Sequence, residues 1–165
     1  LDSLRNALIS LPQQQEMKRL LTLNALAEAY QYTSTDSSLL YASQALALSE
    51  KLSKPLERAW ALYYTAYARY NQGKYDISLE TLLEALPLFE KAEQRGGVAH
   101  TLNDIGNIYK RQGQFDKALE YYRRGLATFQ AANDNEGIVL ELCNIGATYR
   151  LDGKLEESLN FSVQG

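Results

Sequence analysis

Residues 98–132 read VAHTLNDIGNIYKRQGQFDKALEYYRRGLATFQAA, and the fold follows from this stretch. Over Thr101–Gln112, the residues Leu102, Ile105, Ile108 and Tyr109 fall on one face at helical spacing. Gln112-Gly113-Gln114 then interrupts the pattern, and Gly113 suits the left-handed cap that ends a helix. From Phe115 to Ala132 a second apolar face appears, made of Ala118, Leu119, Tyr122, Leu126 and Phe129. Asp116 stands near the start of this second segment, where a carboxylate meets the positive end of the helix dipole. The stretch therefore predicts two helices joined by a tight turn.

The same hairpin recurs along the chain. Gly73, Gly113 and Gly153 are each 40 residues apart, and so are Asp36, Asp76, Asp116 and Glu156. Leu39, Leu79, Leu119 and Leu159 keep the same step, as do Leu62, Leu102 and Leu142. Small residues fill two further columns, Ala66, Gly106 and Gly146, and Ala45, Ala85, Gly125 and Gly165. Six columns in one register are a repeat rather than chance. The approximate units are 13–54, 55–94, 95–134 and 135–165, the last truncated. The small columns, together with Ser78, Ala118 and Ser158, mark where the two helices of a hairpin come close.

Local departures carry their own expectations. In the first unit Leu23, Leu26, Ala27 and Tyr30 match Leu102, Ile105, Gly106 and Tyr109 at a step of 79, so its turn is one residue shorter. There Thr33-Ser34-Thr35 replaces the Gln-Gly pair, and Thr35 or Asp36 is expected to cap the next helix. A short amphipathic helix is expected over Asp2–Ser10, ending near Pro12. Pro87 falls inside a predicted helix and is expected to kink or break it. Gly96-Gly97 and Asp134-Asn135-Glu136-Gly137 read as turns between units.

Composition agrees with an all-α chain and excludes several function classes. Of 165 residues, 45% are hydrophobic and 22% charged, as in an ordinary globular protein rather than a disordered one. The net charge of −3 argues against nucleic acid as the main partner. One Cys and one His exclude a disulfide framework and a Cys/His zinc site within one chain. No apolar run approaches the ~20 residues of a membrane span.

Leu102, Ile105-Gly106, Tyr109, Gly113, Phe115, Ala118, Tyr122 and Gly125 together resemble the tetratricopeptide repeat pattern. The resemblance covers nearly the whole chain, as about four units. It implies a right-handed superhelical solenoid of antiparallel helix hairpins, preceded by the short N-terminal helix. The 40-residue period is longer than the usual ~34. In this it is similar to kinesin light chains, to bacterial peptide-pheromone receptors, and to the N-terminal sensor regions of bacterial histidine kinases and cyclases. Leu23-Asn24-Ala25-Leu26-Ala27-Glu28-Ala29-Tyr30 resembles those sensor regions most. In the second unit Arg69 stands where the pattern has Tyr109. The absence of a start Met and the stop at Gly165 lead to the expectation of a fragment of a larger protein, or of a chain after signal removal.

Family geometry implies that the first helices line a concave face. The residues it would present are Asn24, Glu28, Tyr63, Tyr67, Tyr70, Asn103, Asn107, Lys110, Asn144 and Arg150. Asn bonds both N–H and C=O of an extended peptide, Tyr gives broad contact with a polar tip, and Lys or Arg holds a carboxylate. The expected partner is a protein or peptide in this groove. Replacing Asn103 and Asn107 with Ala is expected to weaken binding at nearly unchanged stability. The second reading is a dimerisation scaffold that pairs through the last helices, at Leu155 and Leu159. Catalysis is not expected: His100 and Cys143 are the sole imidazole and thiol, and Cys143 reads as a small buried hydrophobe. No cofactor or metal is expected. The resemblance implies a periplasmic location for a kinase or cyclase sensor region, and a cytoplasmic one otherwise.

Overall fold

The computed structural model describes residues 1–12 and 14–158. Its eight helices are α1 (Asp2–Ser10), α2 (Glu16–Tyr30), α3 (Thr35–Lys51), α4 (Pro55–Asn71), α5 (Tyr75–Lys91), α6 (Arg95–Arg111), α7 (Phe115–Ala132) and α8 (Asn135–Leu151). Residues 155–158 are helical as well, and no strand occurs among the described residues. Leu159 and Gly165 of the repeat columns lie outside them.

Each hairpin is built by the same local chemistry. The turn after the first helix holds Gly73, Gly113 or Gly153 at φ 75°, 71° and 78°, a region that glycine enters without steric cost. The N–H of the next residue then reaches back to the fifth carbonyl before it, as Gln114 does to Tyr109 at 2.9 Å. The turn after the second helix instead places Ser53, Glu93 and Asn133 at φ 52–53°. Only Asn133 advertises that conformation in sequence. In the short first turn, Ser34 caps α3 by accepting from the Ser37 N–H at 3.3 Å, so the cap lies one residue ahead of the expected Thr35 or Asp36.

Two expectations are corrected here. Gly96, Gly97 and residues 135–137 belong to the first turns of α6 and α8 rather than to inter-unit turns. Asp134 caps α8 by accepting from the Gly137 N–H at 3.0 Å, and a Cβ on Gly137 would lie 2.1 Å from the Phe129 ring. Pro87 does not break α5, which runs unbroken from Tyr75 to Lys91. Pro87 is exposed while Leu82, Ala85, Leu86 and Phe89 are buried, so packing of the opposite face offsets one missing hydrogen bond.

The chain divides into two compact units, Leu1–Ala92 and Glu93–Gly165. In the first, Leu20, Leu23, Ala45 and Ala61 form a core that Leu8 of α1 and Tyr41, Leu46, Leu48 and Leu52 cover. Arg19 ties α1 down by donating to the carbonyls of Leu8 and Leu11 at 3.2 Å each. In the second, Ala118, Leu119, Tyr122, Ile145 and Tyr149 form the core, with Tyr109 and Leu126 against it. The close approach predicted from the small columns is real. A Cβ on Gly106 would stand 2.6 Å from the Tyr122 ring. The serine column adds a bond across the hairpin: Ser38, Ser78 and Ser158 donate to the carbonyls of Ala27, Ala66 and Gly146 at 2.8, 2.8 and 2.9 Å.

Candidate functional site

In the second unit four of the candidate side chains, Asn103, Asn107, Lys110 and Asn144, meet in one hydrogen-bonded network. Asn103, Asn107 and Lys110 lie at successive intervals of four and three residues, which puts them on one face of α6. Glu141 and Asn144 do the same on α8. The Asn103 amide donates to Glu141 Oε1 at 3.2 Å, and Asn107 donates to Asn103 Oδ1 at 2.9 Å. From α7, the Tyr122 hydroxyl donates to Asn107 Oδ1 at 2.8 Å. Lys110 donates to Asn144 Oδ1 at 3.3 Å and stands 5.3 Å from the centre of the Tyr122 ring.

This pattern orients the amides. The oxygens of Asn103, Asn107 and Asn144 all receive hydrogen bonds inside the network. Beyond these bonds, the half-buried Asn107, Lys110 and Asn144 keep further N–H groups to donate. Burial, with the neighbouring Arg111 charge, lowers the Lys110 pKa, and the Glu141 charge opposes that fall. The face is thus built to donate to carbonyl or carboxylate oxygens.

Glu141 anchors the network and is the residue the sequence reading missed. It is 0% exposed, and its Oε2 has no hydrogen-bond partner. Burial raises its pKa from 4.5 to about 7, against the hydrogen bond from Asn103; Asp104 adds to the rise and Lys110 opposes it. It fits because residue 125 is glycine: a Cβ there would lie 2.5 Å from Glu141 Oε1. The signal was in the repeat columns. At a spacing of 16 residues, Ala45 is followed by Ala61, Ala85 by Thr101, and Gly125 by Glu141. The loss of a methyl group coincides with the arrival of a long side chain.

The other candidates sit differently. Asn103 is only 8% exposed and supports Glu141, so it is part of the unit's interior as well as of the face. Arg150 is exposed and outside the network. Cys143 is exposed, which corrects the expectation of a buried thiol, because its side of α8 faces away from the core. His100 is exposed and edge-on to Phe129, with ring centres 6.1 Å apart. No group of His, Cys, Asp and Glu suited to a metal occurs among the described residues. None of the described helices is long and apolar enough to cross a membrane.

In the first unit each aromatic candidate packs against a neighbouring ring. Tyr63 is buried, edge-on to Trp60 and Tyr64. Tyr67 meets Tyr32 edge-on at 5.6 Å, and Tyr70 meets Tyr75 at 5.3 Å. Asn24 is buried and donates to the Glu57 carbonyl at 3.0 Å, whereas Glu28 is exposed.

Comparison with known proteins places the fold. Residues 57–131 match the tetratricopeptide repeat family. No curated protein matches the sequence significantly. Among solved structures, BtubC (BKLC) from P. vanneervenii aligns with a TM-score of 0.85 at 20% identity, covering 98% of this chain and 68% of that one. Aspartyl phosphate phosphatase F from Bacillus subtilis aligns at 0.83 and 19% identity, over 91% of this chain and 40% of that one. A Rap protein complexed with Competence and Sporulation Factor aligns at 0.83 and 22% identity, over 92% of this chain and 43% of that one. This chain therefore spans about two-fifths of the length of the latter two. At such identities the likeness establishes the fold alone. Residues 57–131 thus carry the tetratricopeptide repeat signature, and the chain shares its helical-repeat fold with these solved structures.

Proposed function

We propose that this chain is a non-catalytic module that binds a protein or peptide, serving as the sensor or adaptor part of a bacterial signalling protein. The observation that carries the reading is the donor face of the second unit. The oxygens of Asn107 and Asn144 accept inside the network, and Asn107, Asn144 and Lys110 keep further N–H groups to donate. An extended peptide backbone, or an acidic side chain on it, supplies the acceptors such a face lacks. The fold shared with a Rap protein solved with Competence and Sporulation Factor supports the same reading. As a sensor, the module would act by a ligand that binds two conformations unequally and so shifts their populations.

The test begins with selection of a heptapeptide from a display library on the wild-type chain. The double variant Lys110→Ala, Asn144→Ala is then compared with wild type for affinity and melting temperature. These positions replace the pair Asn103 and Asn107, since Asn103 holds a buried carboxyl group and its loss would unsettle the fold. We expect at least a tenfold loss of affinity, about 1.4 kcal/mol, with melting temperature nearly unchanged. Failure to enrich any peptide, or binding indifferent to both substitutions, overturns the reading. A second reading, a dimerisation scaffold, draws on the exposed Leu151 and Leu155. It requires that wild type sediment as a dimer and Leu155→Glu as a monomer.

A further inference from the structure

A cleft of about 310 Å³ opens between α2 and α4 of the first unit, lined by none of the donor-face residues. One wall carries Leu21, Asn24 and Glu28, spaced three and four apart on one face of α2. The other carries Glu57, Trp60 and Tyr64, with the same kind of spacing on α4. The Trp60 ring is held from two sides, by Phe89 edge-on at 4.8 Å and by Tyr64 stacked at 5.9 Å. The cleft thus has a fixed aromatic surface and an apolar rim, since Leu21 is half exposed.

Its polar atoms are of one kind. Asn24 spends its amide N–H on the Glu57 carbonyl, and its Oδ1, on a side chain 8% exposed, has no hydrogen-bond partner. The Tyr64 hydroxyl is hydrogen-bonded to the Glu28 carboxylate; burial raises its pKa, and the Glu28 charge adds to the rise. The Glu57 carboxylate makes no ion pair among the described residues. No Lys or Arg lines the cleft. A buried acceptor without a donor, two carboxylates and an indole face together call for a flat, donor-rich cation.

We propose that this cleft receives an arginine side chain of the bound partner. The guanidinium plane stacks on Trp60, and its five N–H groups reach Asn24 Oδ1 and the carboxylates of Glu57 and Glu28. Lysine fits less well, because its compact and strongly hydrated ammonium group cannot stack. The volume is at the small end for ligand pockets and suits one side chain of a longer chain rather than a free cofactor. The inference rests on the peptide-binding reading above but uses other residues and the opposite charge.

Trp60 is the sole tryptophan, so its emission reports on the cleft directly. The probe is the capped pentapeptide Ala-Ala-Arg-Ala-Ala, titrated by fluorescence and by calorimetry, beside the same peptide with Lys or Glu at the centre. We expect saturable binding of the arginine peptide, at least tenfold weaker binding of the lysine peptide, and none of the glutamate peptide. Glu57→Gln, which leaves the half-buried side chain's shape intact, should weaken the arginine peptide at least tenfold without changing the melting temperature. The proposal is overturned if the arginine peptide does not bind, if either control binds equally, or if Glu57→Gln has no effect. Should the arginine peptide be silent while a library-selected peptide still binds, this inference alone fails. Should both be silent, the peptide-binding reading fails with it.

Discussion

Glu141 makes the stability of this protein depend on pH in a calculable way. Its carboxyl group ionises at 4.5 when unfolded and at about 7 when folded. Below pH 4.5 both states hold the proton and the group costs nothing. As pH rises further the unfolded chain ionises while the folded one cannot, and folding stability falls. The slope is about 1.4 kcal/mol per pH unit, or roughly 3 kcal/mol in all by the time the folded group ionises. Above about pH 7 the loss is complete and the curve is flat again. The perturbation that isolates this is Glu141→Gln, which keeps the shape under Gly125 and removes the titration. Urea unfolding of both proteins between pH 4 and pH 9 gives the difference in stability at each pH, and groups common to both cancel. We expect Glu141→Gln to gain on wild type by about 3 kcal/mol from the acid end to the alkaline end of that range. Parallel curves would refute the reasoning and mean that water or a shift of α8 solvates the carboxylate.

Three further outcomes follow from the same geometry. Asn103→Ala removes a hydrogen bond that favours the ionised Glu141, so the alkaline end of the stability fall should move to higher pH; an unmoved end point counts against the network. Ser78→Ala deletes the bond to the Ala66 carbonyl across the second hairpin and should cost about 1 kcal/mol in urea unfolding. Gly106→Ala drives a methyl group into the Tyr122 ring, which the core and Asn107 hold in place, and should cost ~1–3 kcal/mol. At roughly 2–4 °C per kcal/mol, that last loss is visible in a melting curve.

The repeat, its hairpins and their order were legible in residue spacing, because helices and turns are set by neighbours in sequence. Gly113 at φ 71° and the apolar face of α7 needed no knowledge of the rest of the molecule. The helix α1 was bounded correctly by its own pattern and Pro12. The break expected at Pro87 does not occur, because a local rule counts the missing hydrogen bond but not the packing of Phe89 on the far side of the same helix. Of the candidate face, sequence alone placed Asn103, Asn107 and Lys110 together, since three and four residues make one turn. It could not tell that Asn103 is buried against Glu141, that Tyr63 is buried beside Trp60 and Tyr64, or that Cys143 is exposed. Those facts depend on which helices face each other and how closely. That is decided by packing across the hairpins, where one methyl group lost at Gly125 gives a carboxyl group a place inside the protein.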